Sequence, residues 1–507
     1  MDPEDPSRSL CAQAQIAASS VSQPNKMHGL RLHTLVTMKI AVEGCLHGEL
    51  DAIYRDILEN ERETGEQVDL VLLCGDIQAL RSEADLPSLA VPEKYKRLGD
   101  FPSYYSGEKT APILTLVIGG NHEASNYMWE LYYGGWIAPN IYYMGSSGCV
   151  EVNGLVIAAA SGIYKSHDYM RGRFERQPYS MSDLRSMYHT RAFDIAKLSL
   201  LSSPDIFMSH DWPNGVEQWG DVQELIRKKP FFREEILSSS LGSPPLQTLL
   251  YELQPRYWFS AHLHVRFAAH VMHGHAPSGT SLAGTSNPEA LDINDVDDEN
   301  DSDGIAEDTD VPSRTTEFLA LSKCTPRGDY LHFFHLDAPE AAPPSKIGER
   351  SQVTFRFHEP WLAITKAMDP YFSLQRYQQP IPPIQDKGLR DSLTREEKSL
   401  ATRWASAGKH ALDIRQVQSF SRTAPLNDST PAIYRNPQTA AFCEWLGIPN
   451  RINIQSMPEM TPMNTDLNDP CSPSNEVARI RQAAFDRKRK RAQGPAQPAR
   501  NTERVSK

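Results

Sequence analysis

The chain has 507 residues, 40% hydrophobic and 23% charged, which is enough for a large core and too many for one ordinary domain if all of them fold. Its formal charge of −12 is unevenly spread: Leu291–Asp310 holds ten acidic and no basic residues, so the remainder carries only −2, and Glu476–Lys507 holds ten basic against three acidic residues. The net value therefore does not argue against an anionic substrate. Seven scattered cysteines without a CxxC pair exclude a disulfide scaffold and favour a reducing compartment. No apolar run approaches the roughly 20 residues of a membrane span, and the first 37 residues lack a basic start followed by an apolar core, which excludes membrane and secreted classes.

In chain order, residues 1–37 read as a patternless, disordered leader, and Met38 opens the first strand, Lys39–Val42. From there short apolar runs alternate with amphipathic stretches: KIAVEG, VDLVLLCGD, ILTLVIGG, LVIAAASG, DIFMSHD and YWFSAH. Continuous rather than alternating apolarity predicts strands buried on both faces, as in an α/β sandwich. Helices are expected between them, for example over Leu50–Arg62 and Gly220–Arg227. A first domain over 38–274 is interrupted by an acidic segment, 275–314, whose Gly, Ser, Asp and Asn content predicts a disordered insert. Thr316–Ser322 and Tyr330–Leu336 then close the domain within 315–345. A smaller C-terminal module is expected over 346–420, with a helix announced by a capping box at Thr394–Glu397. Residues 421–507, rich in Pro, Asn and Ser and ending in the basic run Asp486–Arg491, read as a disordered linker and tail.

Five apolar runs end in metal-ligand residue types: Gly44-Cys45-Leu46-His47, Gly75-Asp76, Gly120-Asn121-His122-Glu123, Ser209-His210-Asp211 and Ala261-His262-Leu263-His264. Carboxyl ends of adjacent strands converge on one crevice in an α/β sheet, and residues two apart in an extended chain point the same way. One strand-end Asp or His is ordinarily a cap or a satisfied polar group; five in succession are hard to obtain by accident. Their mixed oxygen, nitrogen and sulfur donors suit Mn, Fe or Zn, up to two ions per chain, rather than Ca or Mg alone.

This order of motifs resembles the calcineurin-like metallophosphoesterase superfamily. The segments GCLHGELD, CGDIQALRSEADL, IGGNHEASNYMWELYYGGWIAPNIYYMG, SGIYKSHDYMRGRFE, MSHDWP and FSAHLHVRFAA are similar, within it, to the RNA lariat debranching family. Resemblance runs from about Met38 to Leu336 and weakly through PWLAIT; because Met38 stands where family members begin, the leader is expected to be a gene-model extension. The resemblance implies a β-sandwich flanked by helices (αββα), with His47, Asp76 and His264 on one metal, Asp76, Asn121, His210 and His262 on the other, and Asp76 bridging. Cys45 stands where the superfamily carries Asp, and three roles are open to it: ligand, supporting neighbour, or small buried residue. The implied reaction is metal-assisted hydrolysis of the 2′,5′-phosphodiester at the branch point of excised introns, with His122 protonating the departing 2′ oxygen. Glu123 and Asp211 are expected to orient histidines, and Cys74 to fill the strand.

Ser161–Glu175 interleaves Tyr164, Lys165, His167, Tyr169, Arg171, Arg173 and Phe174, a composition that stacks unpaired bases and holds phosphates; the family places a lariat-recognition loop here. Of the aromatic stretch Tyr132, Tyr133, Trp136, Tyr142 and Tyr143, half are expected in the core. The expected partner is branched intron RNA, with no membrane and a monomeric chain. The basic tail fits nuclear import or a non-specific RNA arm, and intron turnover favours the nucleus. Two alternatives stand beside this reading: a calcineurin-like phosphatase or nucleotide phosphodiesterase with another substrate, and a catalytically dead scaffold of the same fold.

Overall fold

The continuous apolar runs all become strands. In the computed structural model, the structure describes residues 36–275, 314–340, 350, 352–425 and 430–452. Thirteen strands are assigned among them: β1 (Val36–Glu43), β2 (Leu70–Leu73), β3 (Thr115–Val117), β4 (Gly135–Ala138), β5 (Ile141–Tyr143), β6 (Ser147–Val152), β7 (Leu155–Ala160), β8 (Ile206–Ser209), β9 (Tyr257–Ser260), β10 (Phe267–Met272), β11 (Thr315–Ala320), β12 (Leu331–Ala338) and β13 (Phe355–Phe357). One sheet has the order β12-β1-β2-β3-β5-β4, the other β10-β11-β9-β8-β7-β6-β13. The centre of each is parallel: β1, β2, β3 and β5 in the first, β7, β8, β9 and β11 in the second. Antiparallel strands close the margins, β12 beside β1 in register Met38 with Leu336, and β10 beside β11.

The period of two along each strand divides its side chains between two layers. Ile40, Val42, Leu70, Leu72 and Leu116 meet Ile157, Ala159, Ile206, Met208 and Phe259 in a core between the sheets. Their neighbours Ala41, Val71, Leu73 and Val117 face the other way, onto Ile53, Tyr54 and Ile57 of helix Leu50–Thr64. On the far side of the second sheet, Ala158, Phe207, Trp258 and Phe318 pack beneath Leu198, Leu225 and Leu249 from its covering helices. Two sheets enclosed by helices are the expected αββα arrangement. No helix among the described residues is long and apolar enough to cross a membrane.

The C-terminal region departs from the expected layout. β13 pairs antiparallel with β6 and so extends the second sheet, and the described residues belong to one compact unit, so 352–420 packs directly onto the sandwich. Its long helix spans Lys387–Trp404, capped by the Asp386 side chain on Leu389 N–H at 2.8 Å; Thr394 lies inside it and starts nothing. The span expected as linker contains helix Pro437–Leu446, whose Phe442, Cys443 and Leu446 enter the inter-sheet core. Gln438 brackets the backbone of Trp136, accepting its N–H at 2.8 Å and donating to its carbonyl at 2.9 Å. The physical reason for the misreading is that Asn436 caps this helix and Pro437 opens it, so linker-type residues here are start signals. The buried Arg81 adds a second tie, pairing with Asp85 and Glu130 at 2.8 Å each and donating to Ala432 O at 3.2 Å. The leader through residue 35, the acidic insert over 276–313 and the tail from 453 onward lie outside the described residues.

Candidate metal centre

β1, β2 and β3 run parallel and release the chain at one edge of their sheet, just before Cys45 and His47, Asp76, and Asn121 and His122. β8 and β9 do the same ahead of His210, and of His262 and His264. Hydrogen bonds stitch the two edges together. Cys45 N–H donates to Ser322 O at 3.3 Å, the His262 amide donates to Cys45 Sγ at 3.1 Å, and His210 Nδ1 meets Cys74 O at 2.7 Å. With Nδ1 donating to that carbonyl, His210 turns its Nε2 inward.

Close approach is obtained through unusual backbone. Among the described residues nine non-glycine positions have φ in the left-handed range, and five cluster here: His47 (49°), Asp76 (54°), Gln78 (54°), His262 (59°) and His264 (51°). Such conformations cost energy for side-chain-bearing residues and persist where surrounding contacts over-determine them. A Cβ on Gly120 would lie 2.2 Å from Asp76 Oδ1, and one on Gly75 2.4 Å from His210 Nδ1. The glycines preceding Asp76 and Asn121 therefore make room for the ligands themselves.

The result is a carboxylate facing two clusters. Asp76 Oδ2 is 3.7 Å from His47 Nε2, and Asp76 Oδ1 is 3.3 Å from His210 Nε2. On the first side, His47 Nε2 and His264 Nε2 are 3.1 Å apart, and donor atoms of Cys45, His47, Asp76 and His264 all lie within 4.8 Å of one another. On the second, Asn121 Oδ1 is 3.3 Å from His210 Nε2, and the His262 ring centroid is 5.1 Å from that of His210. The His122 amide donates to Asp76 Oδ1 at 2.9 Å, while its ring stands edge-on to His47 with centroids 5.2 Å apart.

Burial raises the carboxyl pKa of Asp76, but His210, His122 and His47 outweigh it and hold the group well below the usual carboxylate range. Burial lowers His47 to about 4 and, with His47 as neighbour, His264 to about 3, so both imidazoles are neutral at pH 7. Burial likewise lowers His262. His210 moves up, because Asp76 outweighs its burial. Burial and then Asp76 push the Cys45 thiol well above its ordinary value. An anionic carboxylate among four imidazoles, a carboxamide oxygen and a thiol is a donor set that fits divalent transition metals.

Two expected helpers act differently. Glu123 accepts from the Ile77, Gln78 and Gly120 amides, each at 3.0 Å, and Asp211 accepts from Tyr164 N–H at 3.1 Å and Trp212 N–H at 3.0 Å. They brace the ligand-bearing loops rather than a histidine ring. Burial, and then Asp76, lift Glu123 to about 8. Sequence reasoning missed Glu43 and Gln78. Glu43 is fully buried two residues before Cys45, neither carboxyl oxygen has a hydrogen-bond partner, and burial followed by Asp76 holds its pKa well up. A carboxylate inside the apolar run KIAVEG was its signal. Gln78 places Nε2 3.5 Å from His47 Nδ1. Of the aromatic stretch, four rather than half are buried, with Tyr133 partly so.

The Ser161–Glu175 loop adjoins the second cluster through the Tyr164–Asp211 bond, and Lys165 adds to the burial that lowers His262. Its residues do not share one role. Lys165 and His167 are exposed, and Tyr164, Tyr169, Arg171 and Phe174 are half-buried, with the Tyr164 and Tyr169 rings 5.6 Å apart. Arg173 is buried and paired with Asp194 at 2.7 Å while donating to Met187 O at 2.9 Å, which corrects its assignment to phosphate binding: an internal guanidinium already matched by a carboxylate is an anchor. His167, Asp168 and His189 also gather ligand-type atoms within 4.8 Å, but Asp168 is engaged by Arg171 and by His189, each at 2.6 Å.

Comparison with known proteins agrees with this geometry. Residues 38–266 match the family described as calcineurin-like phosphoesterase, and residues 313–451 match the lariat debranching enzyme C-terminal domain. The second match covers helix Pro437–Leu446, in keeping with its packing. The chain is 40% identical over 441 residues to a lariat debranching enzyme of Arabidopsis thaliana, covering 86% of this chain and 92% of the relative. It is 40% identical over 465 residues to that of Schizosaccharomyces pombe, covering 82% and 96%, and 41% identical over 429 residues to that of Homo sapiens, covering 81% and 69%. The chain belongs to the lariat debranching enzyme family.

Proposed function

We propose that this chain is a metal-dependent phosphodiesterase that opens the 2′,5′ linkage at the branch point of excised intron lariats, leaving linear RNA for turnover. The observation that carries the reading is Asp76, one carboxylate whose two oxygens face two separate sets of donors, in a chain whose relatives are lariat debranching enzymes. His47, His264 and Cys45 would hold one cation and Asn121, His210 and His262 the other, with Mn, Fe or Zn as the ions suited to that mixture. Cations held there supply an activated water and neutralise charge developing on the phosphorane.

The chain's own residues supply the rest. The neutral His47 and His264 need no deprotonation at pH 7 to serve as ligands. Glu123 and the two glycines keep the Asp76 and Asn121 loops in place. His122 has a ring free of protein hydrogen bonds among the described residues and lines the same groove as His47 and His264, where it can hand a proton to the departing 2′ oxygen. Lys165, His167 and Tyr164 are the members of the 161–175 loop left to meet RNA. A nuclear location follows from the substrate and from the basic run Asp486–Arg491.

The test is to offer a branched RNA, a linear 3′,5′ oligonucleotide and p-nitrophenyl phosphate to purified protein loaded with Mn, Fe or Zn. Selective cleavage of the branch is expected. Equal turnover of all three would establish a general phosphoesterase instead.

A further inference from the structure

The 161–175 loop flanks the metal centre on its His210–His262 side. On the opposite side, His47, His122 and His264 form the floor of an open groove whose rim carries Lys94, Tyr95, Arg97 and Lys323. None of these four rim residues belongs to the metal cradle or to the loop. Lys323 is held against the ligand-bearing segment by backbone: Cys45 and Lys323 form a parallel bridge, and Cys324 N–H donates to Cys45 O at 3.1 Å. Its side chain is exposed and has no ion-pair partner among the described residues. It lies close enough to His47 and His264 to add to the burial that lowers both, and with burial it also lowers Lys229.

Tyr95 is 61% exposed, at the end of a short 3-10 turn over Glu93–Tyr95, with Lys94 Nζ 4.7 Å from its ring centre. A tyrosine this exposed, with a cation already over its ring, offers a stacking platform and has no core to fill. Arg97 pairs with Glu49 at 2.9 Å, but both side chains are solvent-exposed, and such a pair gives way readily to a competing phosphate. A free lysine, a weakly held arginine and an exposed aromatic beside the reaction centre are the elements with which single-stranded RNA is gripped.

We infer that this groove binds a strand of single-stranded RNA leaving the branch point, with Lys323 and Arg97 on its phosphates and Tyr95 stacked on a base, so that the branch is held from both sides of the metal centre. The inference rests on the debranching reading, because a branch nucleotide sends out three strands where a linear substrate sends out two, and the additional strand needs a groove of its own.

The experiment is equilibrium binding of a fluorescent branched RNA with a non-hydrolysable 2′ linkage, together with steady-state cleavage of the natural linkage. Tyr95→Ala is expected to weaken binding about tenfold, the scale of one lost base stack, and Lys323→Gln a few-fold, about one phosphate contact, and both are expected to raise KM more than they lower kcat. Lys323→Gln also reduces the slope of log Kd against log salt by about 0.7, the share of one phosphate on a single strand, and Lys323→Arg restores it. Unchanged Kd and salt slope in both variants would overturn the assignment, as would a loss confined to kcat. If the wild type binds the RNA but leaves the natural branch intact, the debranching reading fails while the same Kd comparison still judges the groove.

Discussion

The metal cradle and the 161–175 loop both gather chemistry-bearing side chains, yet they hold them by different means. In the cradle each functional side chain follows a strand end, the backbone is forced into left-handed turns at His47, Asp76, His262 and His264, and donor atoms converge to within 4.8 Å on the first side. In the loop the charged residues are divided: Arg173 turns inward to Asp194, Arg171 pairs with Asp168, and Lys165 stays in solvent. Position in the topology assigns the first set its chemistry, whereas composition alone cannot assign the second, because an arginine that anchors a loop and one that grips phosphate look the same in a sequence.

Substitutions in the cradle test this difference at its largest. Asp76→Ala removes the carboxylate shared by both clusters, so metal content falls and cleavage drops by at least about a thousandfold, several kcal/mol of charge stabilisation being lost with the cations. Elemental analysis alongside the rate checks it; intact metal stoichiometry would refute the bridging role. His122→Ala is expected to keep the metals and slow cleavage about a hundredfold, the scale of a lost general acid. A variant that lost metal as well would make His122 part of the cradle, not a proton donor.

The contrast also explains what could be read from the sequence. Continuous apolar runs such as VDLVLL announced the buried parallel strands, and the residues after them announced the crevice. β10 was not legible, because FAAHVM alternates with exposed Ala268, His270 and Met272 and lacks a strong apolar signal. The Lys387–Trp404 helix buries only Leu389, Leu400 and Trp404, too sparse a stripe to locate its start. Glu43 was not assigned as a site residue because a lone carboxylate in an apolar run marks an unusual position without a motif to give it a role. Arg173 was misassigned because its partner, Asp194, is distant in sequence and adjacent only after folding.

Within the loop, the inward and outward cations should separate by the property they affect. Arg173→Ala leaves Asp194 buried beneath Tyr132, Ser146 and Ser147 without its paired guanidinium and with Lys197 as its remaining cation, and a stability loss of about 3 kcal/mol is expected from denaturant unfolding. Lys165→Gln should leave stability within about 0.5 kcal/mol, as an exposed substitution does, and weaken RNA binding only a few-fold, about one phosphate contact. Equal stability losses in the two variants would erase the distinction.

The finest test concerns Cys45, the one cradle position where the donor differs from the superfamily's aspartate. Its thiol is buried, accepts a hydrogen bond from the His262 amide, and is kept protonated at pH 7 by burial and Asp76. A thiol must give up its proton to bind a metal, whereas His47 and His264, lowered to about 4 and about 3, have none to give at that pH. If Cys45 is a ligand, loading the apo-protein with zinc at pH 7 releases about one more proton per chain in the wild type than in Cys45→Ser, because the serine hydroxyl stays protonated. Calorimetry in buffers of different ionisation enthalpy reads that difference directly. Equal release would place the sulfur beside the cation rather than on it, leaving the first cluster with two histidines and one carboxylate oxygen and an open position for water or phosphate.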